Sequence, residues 1–227
     1  MNFEDVFKKS WDAYKNNLGM LLLVVLLGAL LVGVFLIPGI IALIVGIAGS
    51  TDQETFLNVF SVAGLAIFII SFILAMMASI IYGAALIKSV SFAEGGEKID
   101  IKKAFLVAYQ KFWLILATSI IAGVLMLIGF ILFVIPGLIL AVYFQFIMYV
   151  VIFENKWGVD AIKRSYEIVK GNFWWVVLII LLVALASGLI GSIPFVGGII
   201  TFILTPFWQV IMYVVYKDLK GMKGESE

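Results

Sequence analysis

Long runs of apolar residues alternate with short polar segments along the whole chain. A helix needs about 20 mostly apolar residues to cross the hydrocarbon of a bilayer. Six runs meet that length approximately, at about 18–37, 60–86, 112–134, 138–153, 173–192 and 198–216. The pattern predicts an all-α fold, a polytopic transmembrane helical bundle with about six spans.

One apolar piece, Gly39–Gly49, falls outside these runs and directly follows Pro38. Proline removes a helical hydrogen bond and kinks or ends a helix. Two interpretations stay open at this point. The piece prolongs the first span beyond a proline kink, or it re-enters the membrane as a separate segment.

Three polar segments that precede odd-numbered spans resemble one another. Each begins with aspartate: DVFKKSWDAYKNNLGM from Asp5, DIKKAFLVAYQKFWLI from Asp100 and DAIKRSYEIVKGNFWW from Asp160. Spacings of three and four residues place apolar side chains on one helical face. These side chains are Phe3, Phe7, Trp11 and Tyr14, then Ile101, Ala104, Phe105 and Ala108, then Ile162, Tyr166 and Val169. The pattern predicts amphipathic interfacial helices that lie among lipid headgroups.

Each segment leads into a span, a proline turn and a returning span. The turns are IPG at Ile37–Gly39, IPG at Ile135–Gly137 and IPF at Ile193–Phe195. The returning spans carry ASIIY at Ala78–Tyr82, QFIMY at Gln145–Tyr149 and QVIMY at Gln209–Tyr213. Internal repeats are common in membrane proteins. We therefore predict one membrane domain, 1–227, built from three parallel helix-hairpin repeats at about 1–92, 98–156 and 158–220.

Composition and charge agree with a membrane protein and predict its orientation. Hydrophobic residues make up 64% of the chain and charged residues 13%, with a mean hydropathy of +1.21. All 15 cations lie before the first span, after the last, or in alternate connections, whereas the loops around 50–55, 135–137 and 193–197 carry none. The positive-inside rule predicts a multi-pass protein of the cell membrane with both termini cytoplasmic. Orientation accounts for the lysines, so they do not indicate a nucleic-acid partner.

Two repeated glutamines are the candidate polar groups inside the membrane. Gln145 and Gln209 lie about nine residues from the predicted cytoplasmic ends of their spans, which is roughly 13 Å of helix. A carboxamide at that depth needs a hydrogen-bond partner. Either the pair lines a binding cavity, or each amide bonds a neighbouring helix, and we favour the second interpretation. Tyr82, Tyr149 and Tyr213 are further candidates for polar contacts, although an interfacial aromatic belt explains them more simply.

The cations of the three polar segments are candidate contacts for anionic lipid. They are Lys8, Lys9, Lys15, Lys102, Lys103, Lys111, Lys163, Arg164 and Lys170. Rows of small residues four apart also occur, at Ala75, Ser79 and Gly83 and at Ala184, Gly188 and Ser192. Such rows allow close helix packing, either within the bundle or in a homo-oligomer.

Several kinds of chemistry lack their residues. The chain has no Cys and no His, and the cores of the predicted spans contain no Asp, Glu, Lys or Arg. Proton-coupled carriers place ionisable groups there, and hydrolases need a base, a metal cluster or an acidic pair. We therefore expect no catalytic residue, metal or cofactor.

The stretch from Ile135 to Leu185 resembles a prokaryotic membrane-domain family. The similarity rests on IPG, a short span that ends in an acid, the basic-aromatic run AIKRSY, and GNFW before the next span. The family includes the membrane region attached to some bacterial glycerophosphodiester phosphodiesterases, and small stand-alone YciC-like integral membrane proteins. The resemblance implies a polytopic membrane protein. It does not imply phosphodiesterase activity, since a separate soluble domain carries that activity in the relatives that have it.

These observations favour a non-enzymatic bundle that organises the membrane or binds lipid or partner proteins. The alternative is a transporter or lipid translocator with a cavity in the membrane. An intramembrane enzyme ranks below both, since its site would have to be built from Ser or Tyr residues.

Overall fold

A computed structural model describes residues 3–48 and 62–222, and these residues form eight α-helices with no strand among them. The helices are α1 (Phe3–Ala48), α2 (Val62–Glu94), α3 (Ile101–Leu132), α4 (Val134–Tyr143), α5 (Ile147–Glu154), α6 (Gly158–Val169), α7 (Phe173–Gly191) and α8 (Gly197–Met222).

Six helical stretches in the described ranges are long and apolar enough to cross a membrane. They correspond to α1, α2, α3, α4 with α5, α7 and α8. The predicted six-span helical bundle is confirmed at this level. The prediction worked because hydropathy summed over about 20 residues is a local property of the sequence.

The first proline motif does not form a turn. Pro38 lies inside α1, which continues to Ala48. The stretch after Pro38 therefore prolongs the first span, and the re-entrant interpretation is wrong for the described part of that stretch. A transmembrane helix tolerates an internal proline because the freed backbone group finds other partners. The polar loop at 50–55 lies outside the described residues.

The second and third proline motifs lie where a turn was predicted. After α3 the chain turns at Phe133, which is extended (φ −162°, ψ 151°), and Pro136 falls in the first turn of α4, where a missing N–H is no loss. The chain between α7 and α8 turns at 192–196, and Phe195 adopts a left-handed φ of 63°. The α3–α4 pair is tight, since a Cβ added to Gly129 would lie 3.2 Å from the Cα of Gly137.

The three polar segments differ in shape. The segments that begin at Asp5 and Asp100 form the first parts of α1 and α3, and each continues without a break into the apolar part of its helix. The third forms a separate helix, α6, because Gly171 takes a φ of 93° and interrupts the helix before α7. Neither of the other two segments carries a breaker at the matching place. The three-fold repeat and the interfacial position of these segments stay predictions.

The chain divides into two compact units, Leu26–Gly83 and the remainder (Met1–Val25 with Ala84–Glu227). This division differs from the predicted repeat boundaries near 92–98 and 156–158. Within the smaller unit, α1 and α2 approach closely at Gly28, where a Cβ would overlap the ring of Tyr82 at 1.9 Å. Tyr82, a predicted polar contact, therefore packs its ring over backbone.

In the larger unit, buried and exposed apolar side chains lie in different regions. The core is built from the N-terminal part of α1, the C-terminal part of α2, the first half of α3, α5, α6 and the second half of α8. The second half of α3, together with α4 and α7, instead carries apolar side chains that face outward, such as Ile131, Trp174 and Leu189. In a bilayer, lipid tails would cover this outward apolar surface. The larger unit thus joins a packed protein core to a lipid-facing belt.

Candidate functional site

The returning span of the second predicted hairpin is broken. Its two helices, α4 and α5, are separated by Phe144, Gln145 and Phe146. The break is a tight turn, in which the Gln145 N–H donates to the Val142 carbonyl (3.3 Å) and the Ile147 N–H to the Phe144 carbonyl (3.2 Å). The sequence carries no proline or glycine here, so the break was not predicted.

A serine from α6 holds the break in place. The Ser165 hydroxyl donates to the Tyr143 carbonyl (2.7 Å) and accepts from the Phe146 N–H (3.2 Å). Ser165 is fully buried. It supplies partners to backbone groups on both sides of the break, which a break in an apolar span must have.

The charged side of α6 lies close to the break. At the start of α6 the Gly158 N–H donates to the Thr118 hydroxyl (2.8 Å). Along α6, Asp160, Lys163 and Glu167 are exposed, and such charges must remain in water or among headgroups. The break contacts α6 directly through Ser165, so Gln145 lies within roughly one helix diameter, about 10 Å, of these charges. The depth of Gln145 in a membrane stays a prediction.

The structure places Arg164 inside the protein, whereas the sequence predicted a contact with lipid. Its side chain is 7% exposed, and its Nε donates to the Glu154 carboxylate at 2.9 Å. The Tyr216 hydroxyl donates to the other carboxylate oxygen of Glu154 at 2.8 Å. The Lys156 ammonium lies 3.8 Å from the oxygen that Arg164 binds. Arg164 therefore links α6 to α5 and, through Glu154, to α8. Its burial depends on a carboxylate ten positions earlier, which the pattern of α6 alone does not reveal.

Lys111 also forms hydrogen bonds within the protein. Its ammonium donates to the Val151 carbonyl (3.2 Å) and to the Asn155 side-chain carbonyl. These acceptors lie at the C-terminal end of α5, where carbonyls lack helical partners. The other seven predicted lipid contacts have exposed side chains: Lys8, Lys9, Lys15, Lys102, Lys103, Lys163 and Lys170.

The two repeated glutamines occupy different environments. The Gln209 amide donates to the Tyr149 hydroxyl at 2.8 Å, which joins α8 to α5. Tyr149 stacks on Tyr213 with ring centroids 6.3 Å apart. Both tyrosines are buried, at 2% and 6% exposure, so the interfacial-belt interpretation is wrong for them. For Gln209 the interhelical interpretation is confirmed.

Gln145 has no such partner. Its side chain is half-buried, and it forms no hydrogen bond with any side chain or backbone group in the ranges 3–48 and 62–222. It lies instead at a groove of about 570 Å³ between α4 and α7. Its apolar walls include Ile135, Leu138 and Val142 on α4 and Val177, Leu181 and Ala184 on α7. Of all its lining side chains, Gln145 and Trp174 alone carry a polar atom.

A second cavity, of about 290 Å³, lies on the other side of α4. Ser119, Gly123 and Met126 of α3 line it together with Ala141 and Gln145. Gln145 and Ala141 thus belong to both cavities. No titratable side chain lines either cavity. Their lining offers hydrogen bonding and apolar contact rather than proton transfer.

No family model, curated protein or solved structure matches this chain. The resemblance based on Ile135–Leu185 therefore stays a prediction, and the conclusions that follow rest on the residues of this chain.

Proposed function

We propose that this is a non-enzymatic membrane protein that binds a membrane lipid. An acyl chain occupies the groove between α4 and α7, and the Gln145 amide donates to an ester carbonyl of the lipid. One observation carries the proposal: an amide without a protein partner, among the described residues, lies at an apolar groove in the lipid-facing belt. A polar group beside hydrocarbon is costly unless it is hydrogen-bonded.

The length of the groove suits one leaflet. Ile135 precedes Gln145 by ten residues, which corresponds to roughly 15 Å of helix. That is about half of a hydrocarbon layer of about 30 Å. Since Gln145 lies near the interface on the α6 side, the groove runs from ester depth towards the middle of the membrane.

The groove also has a cation near its polar end. The Tyr143 ring packs against the Tyr166 ring at 4.6 Å and the Phe173 ring at 5.2 Å. The Lys170 ammonium lies 5.8 Å from the centroid of the Tyr166 ring. Phe173 lines the groove, so a chain of ring contacts connects the groove to the Lys170 ammonium. A lysine near an anionic membrane surface contributes about 1 kcal/mol of attraction, which favours an anionic phospholipid.

Native mass spectrometry of the purified protein with added phosphatidylglycerol tests the proposal. Gln145→Leu should weaken lipid retention about 3- to 10-fold, because one hydrogen bond is lost. Gln209→Leu is the matched control and should retain lipid like the wild type, since that amide bonds Tyr149. Phosphatidylcholine with the same chains should bind more weakly than phosphatidylglycerol. Equal retention by the wild type and Gln145→Leu would contradict the proposal.

A lipid translocator is the second candidate. The observation that favours it is a discontinuous helix with cavities on both sides, since transporters often bind substrates at such breaks. Vesicles that contain the protein and a fluorescent lipid would separate the two functions. The first proposal predicts no more scrambling than in empty vesicles. Scrambling that Gln145→Leu abolishes would favour translocation.

The orientation proposed from the lysines has its own test. With both termini in the cytoplasm, the polar loop at 50–55 faces the opposite side. A reporter active only in the cytoplasm should stay silent in that loop and should be active at the C-terminal end of the sequence. Activity in the loop would reverse the orientation.

A further inference from the structure

The two cavities beside Gln145 share a single low ridge. Ala141 on α4 and Gln145 in the break that follows α4 are four positions apart, and both line the groove and the second cavity. Leu138 and Val142 lie on the groove side of this ridge, whereas Phe144 lines the second cavity. Since the Ala141 side chain is only a methyl group, the ridge between the two cavities is low, and one ligand can occupy both cavities.

The groove extends from Gln145 along α4 to Ile135, whereas the second cavity extends from Ile147 and Met148 on α5 past Gln145 to Ala141. The chain reverses between α3 and α4, with Gly129 against Gly137, so the stretch of α3 from Ser119 to Met126 runs past the start of α5, the break and the end of α4. Met126 follows Ser119 by seven positions, which corresponds to roughly 10 Å of helix. On the groove side, α7 begins with the Phe173 ring against Tyr143 and continues past Ala184.

Each cavity has a hydrogen-bonding group. The groove has the Gln145 amide. The second cavity has Gln145 and, on α3, Ser119, whose exposed hydroxyl forms no hydrogen bond with the part of the chain that the structure describes. The pair resembles what a glycerolipid requires, with two polar groups at ester depth and two apolar cavities beside them.

We infer that the ligand is a lipid with two acyl chains that straddle α4, with one chain in each cavity. The Gln145 amide and the Ser119 hydroxyl hold its two ester groups. This inference rests on the proposed function and adds the class of lipid. A single-chain lipid occupies only the larger groove and gains nothing from the second cavity.

Filling the second cavity alone tests the inference. A Cβ added to Gly123 meets no atom within 4 Å, so Gly123→Leu places its side chain in open space of that cavity. Native mass spectrometry would compare phosphatidylglycerol with its single-chain lyso form. Gly123→Leu should weaken retention of the two-chain lipid at least about tenfold, because losing even two buried methylenes changes affinity that much. Retention of the lyso form should not change.

Two further variants control the experiment. Gly188 on α7 also has no atom within 4 Å of an added Cβ and lines neither cavity, so Gly188→Leu should bind both lipids like the wild type. Ala184→Leu narrows the groove and should weaken both lipids. Ser119→Ala, which adds no bulk, should weaken the two-chain lipid alone and keeps the test open if Gly123→Leu does not fold.

The outcomes distinguish binding of a two-chain lipid from binding of any lipid in the groove. If Ala184→Leu weakens binding but Gly123→Leu and Ser119→Ala do not, one chain binds and the inference fails while the proposed function stands. If Gly123→Leu weakens both lipids equally, the inference also fails, because the lyso form does not need the second cavity. If neither Ala184→Leu nor Gln145→Leu weakens either lipid, the proposed function itself fails.

Discussion

Replacing Arg164 should destabilise the protein far more than replacing its neighbour Lys163. The two cations are adjacent on α6, but the Arg164 side chain is 7% exposed and bonded to Glu154, itself 8% exposed, whereas Lys163 is exposed. Removing one partner of a buried ion pair costs about 3–5 kcal/mol, because the other charge is left unpaired. Glu154 would keep the Tyr216 hydroxyl at 2.8 Å and Lys156 at 3.8 Å. We therefore expect a loss near the lower bound of that range, about 3 kcal/mol, for Arg164→Met.

Tryptophan fluorescence during thermal unfolding in detergent measures this difference. A loss of about 3 kcal/mol lowers the Tm of a chain of this size by roughly 6–12 °C. Lys163→Met, a surface change, should stay within about 0.5 kcal/mol of the wild type. The double variant Glu154→Gln with Arg164→Met removes both charges and should recover much of the loss, since an unpaired buried charge causes it.

Two results would refute this reasoning. If Arg164→Met and Lys163→Met lower the Tm equally, Arg164 does not act inside the core. If the double variant is no more stable than Arg164→Met alone, the cost does not come from an uncompensated Glu154. Lipid retention offers an independent comparison, because Lys163→Met should weaken binding of anionic lipid more than a comparably folded Arg164→Met protein does.

Three further predictions concern packing in the larger unit. Thr118→Val should lower the free energy of unfolding by about 1–3 kcal/mol, because the buried N–H at the start of α6 loses its acceptor; Thr118→Ser keeps the hydroxyl and should restore most of it. Gln209→Leu should cost about 0.6–2 kcal/mol, and the same change in a Tyr149→Phe background should cost less; equal costs would show that the hydrogen bond contributes nothing. Gly129→Ala should destabilise the α3–α4 pair, where an added Cβ lies 2.9 Å from a leucine side chain, whereas Gly123→Ala should gain up to about 1 kcal/mol from helix propensity; the same direction for both would contradict the packing. Denaturant unfolding followed by tryptophan fluorescence measures all three.

The sequence was sufficient to predict the features that depend only on a short stretch of the chain. Transmembrane spans follow from hydropathy over about 20 residues, and all six were found because each stretch is apolar regardless of its neighbours. The proline motifs show the limit of prediction from short stretches. IPG at Ile37–Gly39 lies inside α1, whereas the same tripeptide at Ile135–Gly137 lies in the first turn of α4, which follows an extended residue. The tripeptide permits both outcomes, and its surroundings select one.

Pairs of residues that look alike in the sequence separate only when the helices pack. Gln145 and Gln209 occupy the same place in a repeated pentapeptide, yet one faces an apolar groove and the other bonds Tyr149. Lys163 and Arg164 are neighbours, yet only Arg164 meets Glu154. The sequence of one helix determines how its own side chains are spaced. An interhelical hydrogen bond or a cavity also depends on atoms of a second helix. The sequence by itself therefore determined six helical stretches that are long and apolar enough to cross a membrane. Only the tertiary structure places α6 and α7 against the break at Gln145, and the proposed lipid site depends on that packing, because its walls come from elements distant in the sequence.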